Sequence, residues 1–77
     1  MKVYVFAALK DFMPSESELN TSINNIESLR EVLILKYPAA REILNSCRFS
    51  TDKEILSQQQ DITHYENIFV IPPSSGG

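Results

Sequence analysis

The C-terminal part of the 77-residue sequence contains a run of four apolar residues, 68–71, that ends at two prolines. A short and wholly apolar run bounded by turn-forming residues predicts a buried strand. Pro72 and Pro73 have no backbone N–H to donate, so the strand cannot continue through them. Because neither face of this strand is polar, we expect it at the centre of a sheet.

The N-terminal segment, residues 2–8, is also rich in β-branched and aromatic residues. Strand alternation places Val3 and Val5 on one face, and Tyr4 and Phe6 on the other. Both faces are therefore apolar. Such a strand is either covered on both sides or lies centrally with one face kept for a partner.

The clearest helical pattern begins at Asn24, which can cap a helix together with Glu27 three residues later. Apolar residues then recur at helical spacing, at Ile26, Leu29, Val32 and Leu33. Pro38 disfavours a helical conformation at Tyr37, so we expect the helix to end there. The same proline suits the first turn of a second, short helix over residues 39–44.

The remaining segments are shorter, and they comprise an edge strand at 16–23, strands at 47–49 and 54–56, and a buried anchor at Ile62. Two central strands from opposite ends of the chain would run parallel, with the long helix across one face. This arrangement predicts an α+β fold of the β-grasp, or ubiquitin-like, type, with a mixed sheet of about five strands wrapped on one main helix. We expect one domain over residues 1–71 and a flexible tail over residues 72–77.

Composition excludes several classes of function. A formal net charge of −3 argues against a general nucleic-acid binder, which needs a basic face to neutralise phosphates. No segment approaches the roughly 18 apolar residues of a membrane span. A single cysteine permits no internal disulfide, and the N-terminus lacks a signal-peptide cleavage site. We therefore expect a cytoplasmic protein without a membrane or nucleic-acid partner.

The sequence contains little of the usual catalytic apparatus. His64 is the only histidine, which excludes a multi-histidine metal site, and we expect it to be exposed in a loop. Cys47 is the only cysteine, and we expect its thiol to be buried. No glycine-rich phosphate loop exists, because the only two glycines are the last two residues. The carboxylates are scattered, and Glu27 and Arg30 have the spacing of a helix surface ion pair. An enzyme with its own preformed pocket is not expected.

The tail, residues 72–77, is then the remaining candidate for chemistry. It would span roughly 20 Å when extended. Gly76 and Gly77 lack side chains and could enter a channel too narrow for other residues, while the prolines stiffen the base. Once activated as an acyl-adenylate, the terminal carboxylate could be attacked by a lysine amine or by a sulfur nucleophile, and the residues do not decide between them. The alternative is an ordinary disordered terminus.

The chain resembles the small, sulfur-carrier subunit of molybdopterin synthase, the MoaD-like group of the MoaD/ThiS ubiquitin-like family. The opening segment 3–11 is similar to the family's hydrophobic-Phe-Ala-x-Leu-Arg-Glu start, and residues 25–30 are similar to its helix start. The most specific part is the end, 68–77, because the family typically finishes with an apolar strand, two prolines, two variable residues and Gly-Gly. The resemblance covers essentially the whole chain.

The resemblance implies a sequence of reactions at the carboxylate of Gly77. An E1-like activating enzyme would adenylate it with ATP, and a sulfur donor would convert it to a thiocarboxylate. The tail would then enter the large subunit of molybdopterin synthase, within an expected heterotetramer, and pass its sulfur to cyclic pyranopterin monophosphate, building the dithiolene that holds molybdenum. The large subunit would supply the catalytic side chains, so this chain is expected to bind no cofactor and to have no active site of its own.

Placed on the ubiquitin-like roll, Ile68 and Val70 fall in the core. The residues expected to contact the partner are Tyr4, Phe6, Phe69, Ile71, Pro72, Pro73, Ser74, Ser75 and Gly76. For the first four of these, the alternative is burial inside the monomer. Three other functions stay open: a sulfur carrier for thiamine thiazole synthesis or tRNA thiolation, a protein modifier joined to lysines, and a plain interaction module with an inert tail.

Overall fold

One mixed sheet organises the chain in the computed structural model, which describes residues 1–20 and 22–73. Its strands are β1 (Lys2–Val5), β2 (Glu16–Glu18), β3 (Arg48–Ser50), β4 (Ile55–Leu56) and β5 (Asn67–Ile71). They lie in the order β2-β1-β5-β3-β4, with β1 and β5 parallel and every other neighbouring pair antiparallel. The central position of β5 beside a parallel β1 confirms the predicted β-grasp fold.

The core lies between the sheet and two helices, α1 (Ile26–Lys36) and α2 (Arg41–Ser46). The sheet contributes one face of β1 and β5, and the apolar sides of the two helices pack against that face. The side chains that are at most 2% exposed on these four elements are Val3, Val5, Ile68, Val70, Ile26, Leu29, Leu33 and Leu44. Each such side chain stabilises the fold by about 1.5–3 kcal/mol relative to full exposure.

Helix α1 begins one residue later than the sequence indicates. Its N-cap is Asn25, whose side-chain oxygen accepts a hydrogen bond from the Ser28 amide at 2.9 Å. The predicted cap at Asn24 is wrong, because the carbonyl of that residue instead accepts a bond from the Ile62 amide at 2.9 Å. Two adjacent asparagines can both cap a helix, and this long-range contact decides between them.

Strand β1 ends at Val5, three residues before the predicted end. The chain turns at Ala7, which has a positive φ of 54°, and continues as the 3-10 helix Ala7–Asp11. Strand β1 ends here because prolines flank both of its neighbours in the sheet: Pro14 precedes β2 and Pro72 follows β5. Neither proline can donate to a longer ladder.

Strand β2 spans three residues, whereas the sequence predicts eight, 16–23. The next amide, of Leu19, donates to the carbonyl of Met1 at 2.9 Å. The ladder between β1 and β2 stops at the pairing of Lys2 with Glu18. The segment then leaves the sheet, and Ile23 packs into the core.

The second helix and the short strands are confirmed with shifted bounds. The predicted helix at 39–44 is a 3-10 turn, Pro38–Ala40, followed by α2. Strands β3 and β4 each begin one residue later than predicted, and Ile62 is completely buried as expected. The proposed division into a domain, 1–71, and a tail, 72–77, stays a prediction, since the structure describes only Pro72 and Pro73 of the tail.

Candidate functional site

The two central strands present aromatic and aliphatic side chains on the sheet face opposite the helices. We call this face the outer face and define it by Tyr4, Phe6, Ile55, Phe69 and Ile71. The first two and the last two were predicted from the sequence. No helix or loop of residues 1–20 and 22–73 buries this row, because three of its members are at least 41% exposed.

Phe69 is the centre of an aromatic cluster. It lies level with Tyr4 in the parallel β1–β5 pair, and the two rings are 5.6 Å apart at an interplanar angle of 57°. Phe6 is extended, with φ −133° and ψ 161°, so it continues the alternation of β1 and reaches the same ring from the other side. The Phe6 and Phe69 centroids are 5.9 Å apart in an edge-to-face arrangement. Such geometry favours a fixed orientation of all three rings.

The exposed fractions divide the predicted contact residues into two kinds. Phe6 is 43% exposed and Ile71 is 41% exposed, whereas Tyr4 and Phe69 are half-buried by their neighbours on the sheet. Burial inside the monomer, the alternative for these side chains, therefore does not hold for Phe6 and Ile71. Their contact with a partner stays a prediction.

Ile55 is an outer-face residue that the sequence reasoning missed. It is 60% exposed and pairs with Ser50, which in turn pairs with Phe69. The signal was the alternation within the two-residue strand β4, where Leu56 is buried and Ile55 is not. Without the register of β3 against β5, a two-residue strand does not show which face it presents.

Charged side chains border the outer face on both sides. On the β2 side, the Lys2 ammonium lies 3.3 Å from the Glu16 carboxylate, and both side chains are about half exposed. A hydrogen bond and the charge of Glu16 raise the pKa of Lys2. On the β3 side, Arg48 is exposed and lies level with Ile71.

The tail starts at the C-terminal end of β5. Pro72 is half-buried and Pro73 is exposed, and both have no regular secondary structure. The tail therefore begins at the end of the sheet where Phe6 and Arg48 lie. Ser74, Ser75, Gly76 and Gly77 lie outside the described residues, so the predictions for them stay predictions.

The only cysteine and the only histidine, Cys47 and His64, have surroundings that do not favour catalysis. The thiol of Cys47 is buried and donates to the Ile43 carbonyl at 3.0 Å. Loss of hydration raises its pKa from 9.0 to about 11, against a smaller opposing effect of the Arg30 charge, so the thiolate needed of a nucleophile is scarce at neutral pH. His64 is exposed and packs on the Tyr65 ring at 4.2 Å. Within 1–20 and 22–73, no group of three or more His, Cys, Asp or Glu side chains could hold a metal ion.

Arg30 is a second residue whose role the sequence did not reveal. Its guanidinium donates to the Leu44 carbonyl at 3.1 Å and to the Gln58 side chain at 2.6 Å, and it lies 5.1 Å from the centre of the Phe49 ring. Glu27, its expected partner, instead accepts a bond from Gln59 at 2.7 Å. The predicted Glu27–Arg30 pair is therefore absent from the ion pairs of the described residues.

None of the helices in the described part of the chain is long and apolar enough to cross a membrane. This observation concerns residues 1–20 and 22–73 only.

The fold and the outer face define a ubiquitin-like β-grasp protein with an apolar sheet face open to solvent. No protein-family model matches the chain, and no curated protein sequence matches it. Among solved structures, the chain is similar to SAMP1 from Haloferax volcanii, with a TM-score of 0.73 and 15% sequence identity. The match covers 99% of this chain and 97% of that one. At this identity, the likeness concerns the fold.

Proposed function

We propose that this chain is the sulfur-carrier subunit of a molybdopterin synthase. The observation that carries the proposal is the sequence Pro72-Pro73-Ser74-Ser75-Gly76-Gly77, which directly follows the central strand of a ubiquitin-like sheet. The β-grasp fold supports a carrier or modifier of this class. The paired prolines before Gly-Gly favour the molybdopterin pathway among the carriers.

The chemistry begins at the carboxylate of Gly77. A carboxylate oxygen attacks the α-phosphorus of ATP, pyrophosphate leaves, and an acyl-adenylate forms. Sulfide from a sulfur donor then adds to the acyl carbon and AMP leaves, which gives the thiocarboxylate. An E1-like adenylating enzyme binds the ATP and catalyses the first step, while a separate sulfur donor supplies the second.

Delivery takes place in the large subunit of the synthase. The thiocarboxylate sulfur attacks cyclic pyranopterin monophosphate and joins the carrier to it as a thioester. Water then cleaves the acyl–sulfur bond, which leaves the sulfur on the pterin and restores the Gly77 carboxylate. A dithiolene forms after two such transfers, so each product consumes two loaded carriers. This stoichiometry agrees with the expected heterotetramer. The large subunit supplies the acid–base side chains, and this chain supplies sulfur and a docking surface, in the cytoplasm and without a cofactor of its own.

The structure supports this role through the way β5 is held. The strand is hydrogen-bonded on both sides, to β1 and to β3, up to the pairing of Ile71 with Arg48. Pro72 and Pro73 then restrict φ at the first two positions of the tail. A fixed base reduces the conformational entropy that the tail loses when it enters a channel.

The outer face supplies the docking surface of this proposal. Tyr4, Phe6, Phe69 and Ile71 lie beside the base of the tail, so a partner that receives the tail also meets an apolar, partly ordered patch. Aromatic anchors of limited flexibility lose little entropy on binding and commonly dominate an interface.

The intact mass of the chain distinguishes the proposal from its alternatives. We would incubate the full chain with ATP, an E1-like adenylating enzyme from the same organism and a sulfide source. A carrier gains the mass difference between sulfur and oxygen, whereas a protein modifier forms adducts with lysines of other proteins. As a control, the adenylating enzyme must be shown to activate a carrier on which it is known to act. If this enzyme leaves the mass of the chain unchanged, both the carrier and the modifier hypotheses are wrong.

A loaded chain then separates the sulfur pathways. Added to the large subunit and cyclic pyranopterin monophosphate, it should release its sulfur and yield the dithiolene product. If the sulfur is released only with a thiazole synthase or a tRNA-thiolating enzyme, the carrier class stands and the molybdopterin assignment is wrong.

A further inference from the structure

Strand β2 forms one edge of the sheet, because among the described residues it pairs with β1 alone. The hydrogen bonds at its two ends show which backbone groups point towards β1. The Val5 amide donates to the Ser15 carbonyl at 3.0 Å, and the Leu19 amide donates to the Met1 carbonyl at 2.9 Å. Because these directions alternate along a strand, residues 15, 17 and 19 point their amides and carbonyls towards β1.

The other residues of β2 point their backbone groups to the free edge. Strand alternation directs the N–H and C=O groups of Glu16 and Glu18 away from β1. Within residues 1–20 and 22–73, none of these four groups has a hydrogen-bond partner. An edge with unpaired amides and carbonyls can accept one further extended strand, which would form hydrogen bonds to all four groups.

The outer-face side of this edge is negatively charged. The carboxylates of Glu16 and Glu18 are exposed, and the Lys2 ammonium lies 3.3 Å from the first of them. The ionisable groups along this border are the carboxylates of Glu16, Glu18 and Glu66, the ammonium groups of Lys2 and Met1, and the imidazole of His64. With the imidazole neutral, three carboxylates against two ammonium groups leave the border negative.

The inner-face side of the same edge has the opposite charge. Ser17 is buried there, and its hydroxyl lies 3.2 Å from the Tyr37 hydroxyl. The Lys36 ammonium lies 5.8 Å from the centre of the Tyr37 ring. A cation beside Ser17 would therefore meet a like charge, whereas a cation beside Glu16 or Glu18 would meet an opposite one. The edge thus distinguishes the two faces of an added strand.

We propose that the free edge of β2 binds an extended segment of a partner protein, in which two cationic residues are separated by one uncharged residue. Directly opposite residues of neighbouring strands project to the same face, so the cations lie beside Glu16 and Glu18. The uncharged residue lies beside Ser17. This inference goes beyond the proposed sulfur carrier and does not depend on it, since β1 separates β2 from β5 and the tail.

A second copy of this chain is a poor occupant of the same edge. Antiparallel pairing of two β2 strands would place Glu16 and Glu18 of one copy opposite the same carboxylates of the other, and like charges directly opposite are destabilising. Charged side chains on a short edge strand commonly prevent such pairing. The same carboxylates favour a strand of opposite charge, so they select the partner as well as exclude the copy.

Titration with the capped peptide Thr-Lys-Val-Lys-Thr tests the proposal at low salt and pH 7. The amide signals of Glu16 and Glu18 should shift and their hydrogen exchange should slow, while the signals of α2 stay constant. The matched peptide Thr-Glu-Val-Glu-Thr should bind at least about tenfold more weakly, because its charges repel those of the edge.

N-methylated peptides separate backbone pairing from general charge attraction. In the proposed complex the amides of the two lysines donate to β2, whereas the valine amide points away. Methylation of both lysine amides should weaken binding at least about tenfold, and methylation of the valine amide should leave it nearly unchanged. If the peptide with methylated lysine amides binds as tightly as the parent, charge alone attracts it and the proposal is overturned.

Variants of the chain provide the matching control. The variant E16Q/E18Q should bind the lysine peptide at least about tenfold more weakly than the wild type. The variant E31Q/E42Q removes the same charge from exposed positions of α1 and α2 and should bind as the wild type does. Circular dichroism establishes that both are folded. An absence of shifts at millimolar peptide, or shifts confined to the cluster around Phe69, overturns the proposal.

Discussion

The two faces of the β1–β5 pair are made by alternate residues of the same two strands, and they differ in how far they are covered. On the inner face, Val3, Val5, Ile68 and Val70 are at most 2% exposed and pack under the helices. On the outer face, the alternate residues of the same strands, from Tyr4 to Ile71, are half-buried or exposed. Both sets are apolar, so hydrophobicity alone does not explain why only one is covered.

The difference shows that this fold needs only one of its apolar faces. A β-grasp sheet packs its helices on one side, so aromatic residues on the other side are covered only by their neighbours on the sheet. A contiguous exposed apolar patch of this kind commonly marks an interaction site. We therefore propose that the inner face serves stability and the outer face serves binding, and the following variants test that division.

The largest expected effect compares two isoleucines of β5. Ile68→Ala removes a completely buried side chain and should lower the free energy of unfolding by about 2–5 kcal/mol. Ile71→Ala removes a side chain that is 41% exposed and should change it by less than about 1 kcal/mol. Urea denaturation measures both. Equal losses would contradict the division between the two faces.

Two arginines beside β3 provide the next comparison. Arg30→Met leaves the carbonyl of Leu44 and the side chain of Gln58 without their charged donor, and should cost about 1–3 kcal/mol of stability. Arg48→Met, at the border of the outer face, should cost less than about 0.5 kcal/mol because the Arg48 side chain is exposed. Chemical denaturation measures the free energy of unfolding of both variants. A larger loss for Arg48→Met than for Arg30→Met would contradict the comparison.

The pH dependence of stability tests the burial of Cys47. Because the pKa of its thiol is raised from 9.0 to about 11, the unfolded chain loses this proton first as the pH rises. The thiol therefore contributes its full stabilisation below pH 9, and the contribution is lost as the pH rises towards 11.

Comparison with Cys47→Ala isolates this contribution, since the other titrating groups are common to both chains. The free energy of unfolding of the wild type should fall relative to that of the variant between pH 9 and 11. A constant difference across that window would show that the thiol has ordinary access to water.

The smallest expected effect concerns the turn that ends β1. Ala7 has a positive φ of 54°, which is unfavourable for a residue with a Cβ atom, so Ala7→Gly should stabilise the chain by roughly 0.5–1 kcal/mol. Ala8→Gly, in the following 3-10 helix, should destabilise it by a similar amount. Thermal unfolding of the pair decides whether the turn is strained.

Patterns within one segment predicted most of the fold. Residues 68–71 are apolar throughout, which indicated a central strand, and the spacing from Ile26 to Leu33 indicated the main helix. The bounds depended on contacts between segments. Asn25 rather than Asn24 caps α1 because of Ile62, a residue far along the chain.

The candidate site was predictable to the same degree. Alternation placed Tyr4 and Phe6 on one face, the resemblance to the ubiquitin-like roll placed Phe69 and Ile71 beside them, and the structure agrees. Ile55 was missed because its position depends on the register of β3 and β4. Arg30 was missed because two of its partners are backbone carbonyls, which leave no signature in a sequence, and its side-chain partner, Gln58, lies 28 residues further along the chain.

The most direct test of the proposed carrier is the intact mass of a chain lacking Gly77, after incubation with ATP, the adenylating enzyme and sulfide. Strand β5 ends at Ile71, six positions before Gly77 in the sequence, so the shortened chain should unfold at the same urea concentration as the wild type. The account predicts that its mass does not change, while the wild type gains the sulfur-for-oxygen difference. A thiocarboxylate on the shortened chain would show that the carboxylate of Gly77 is not the required site.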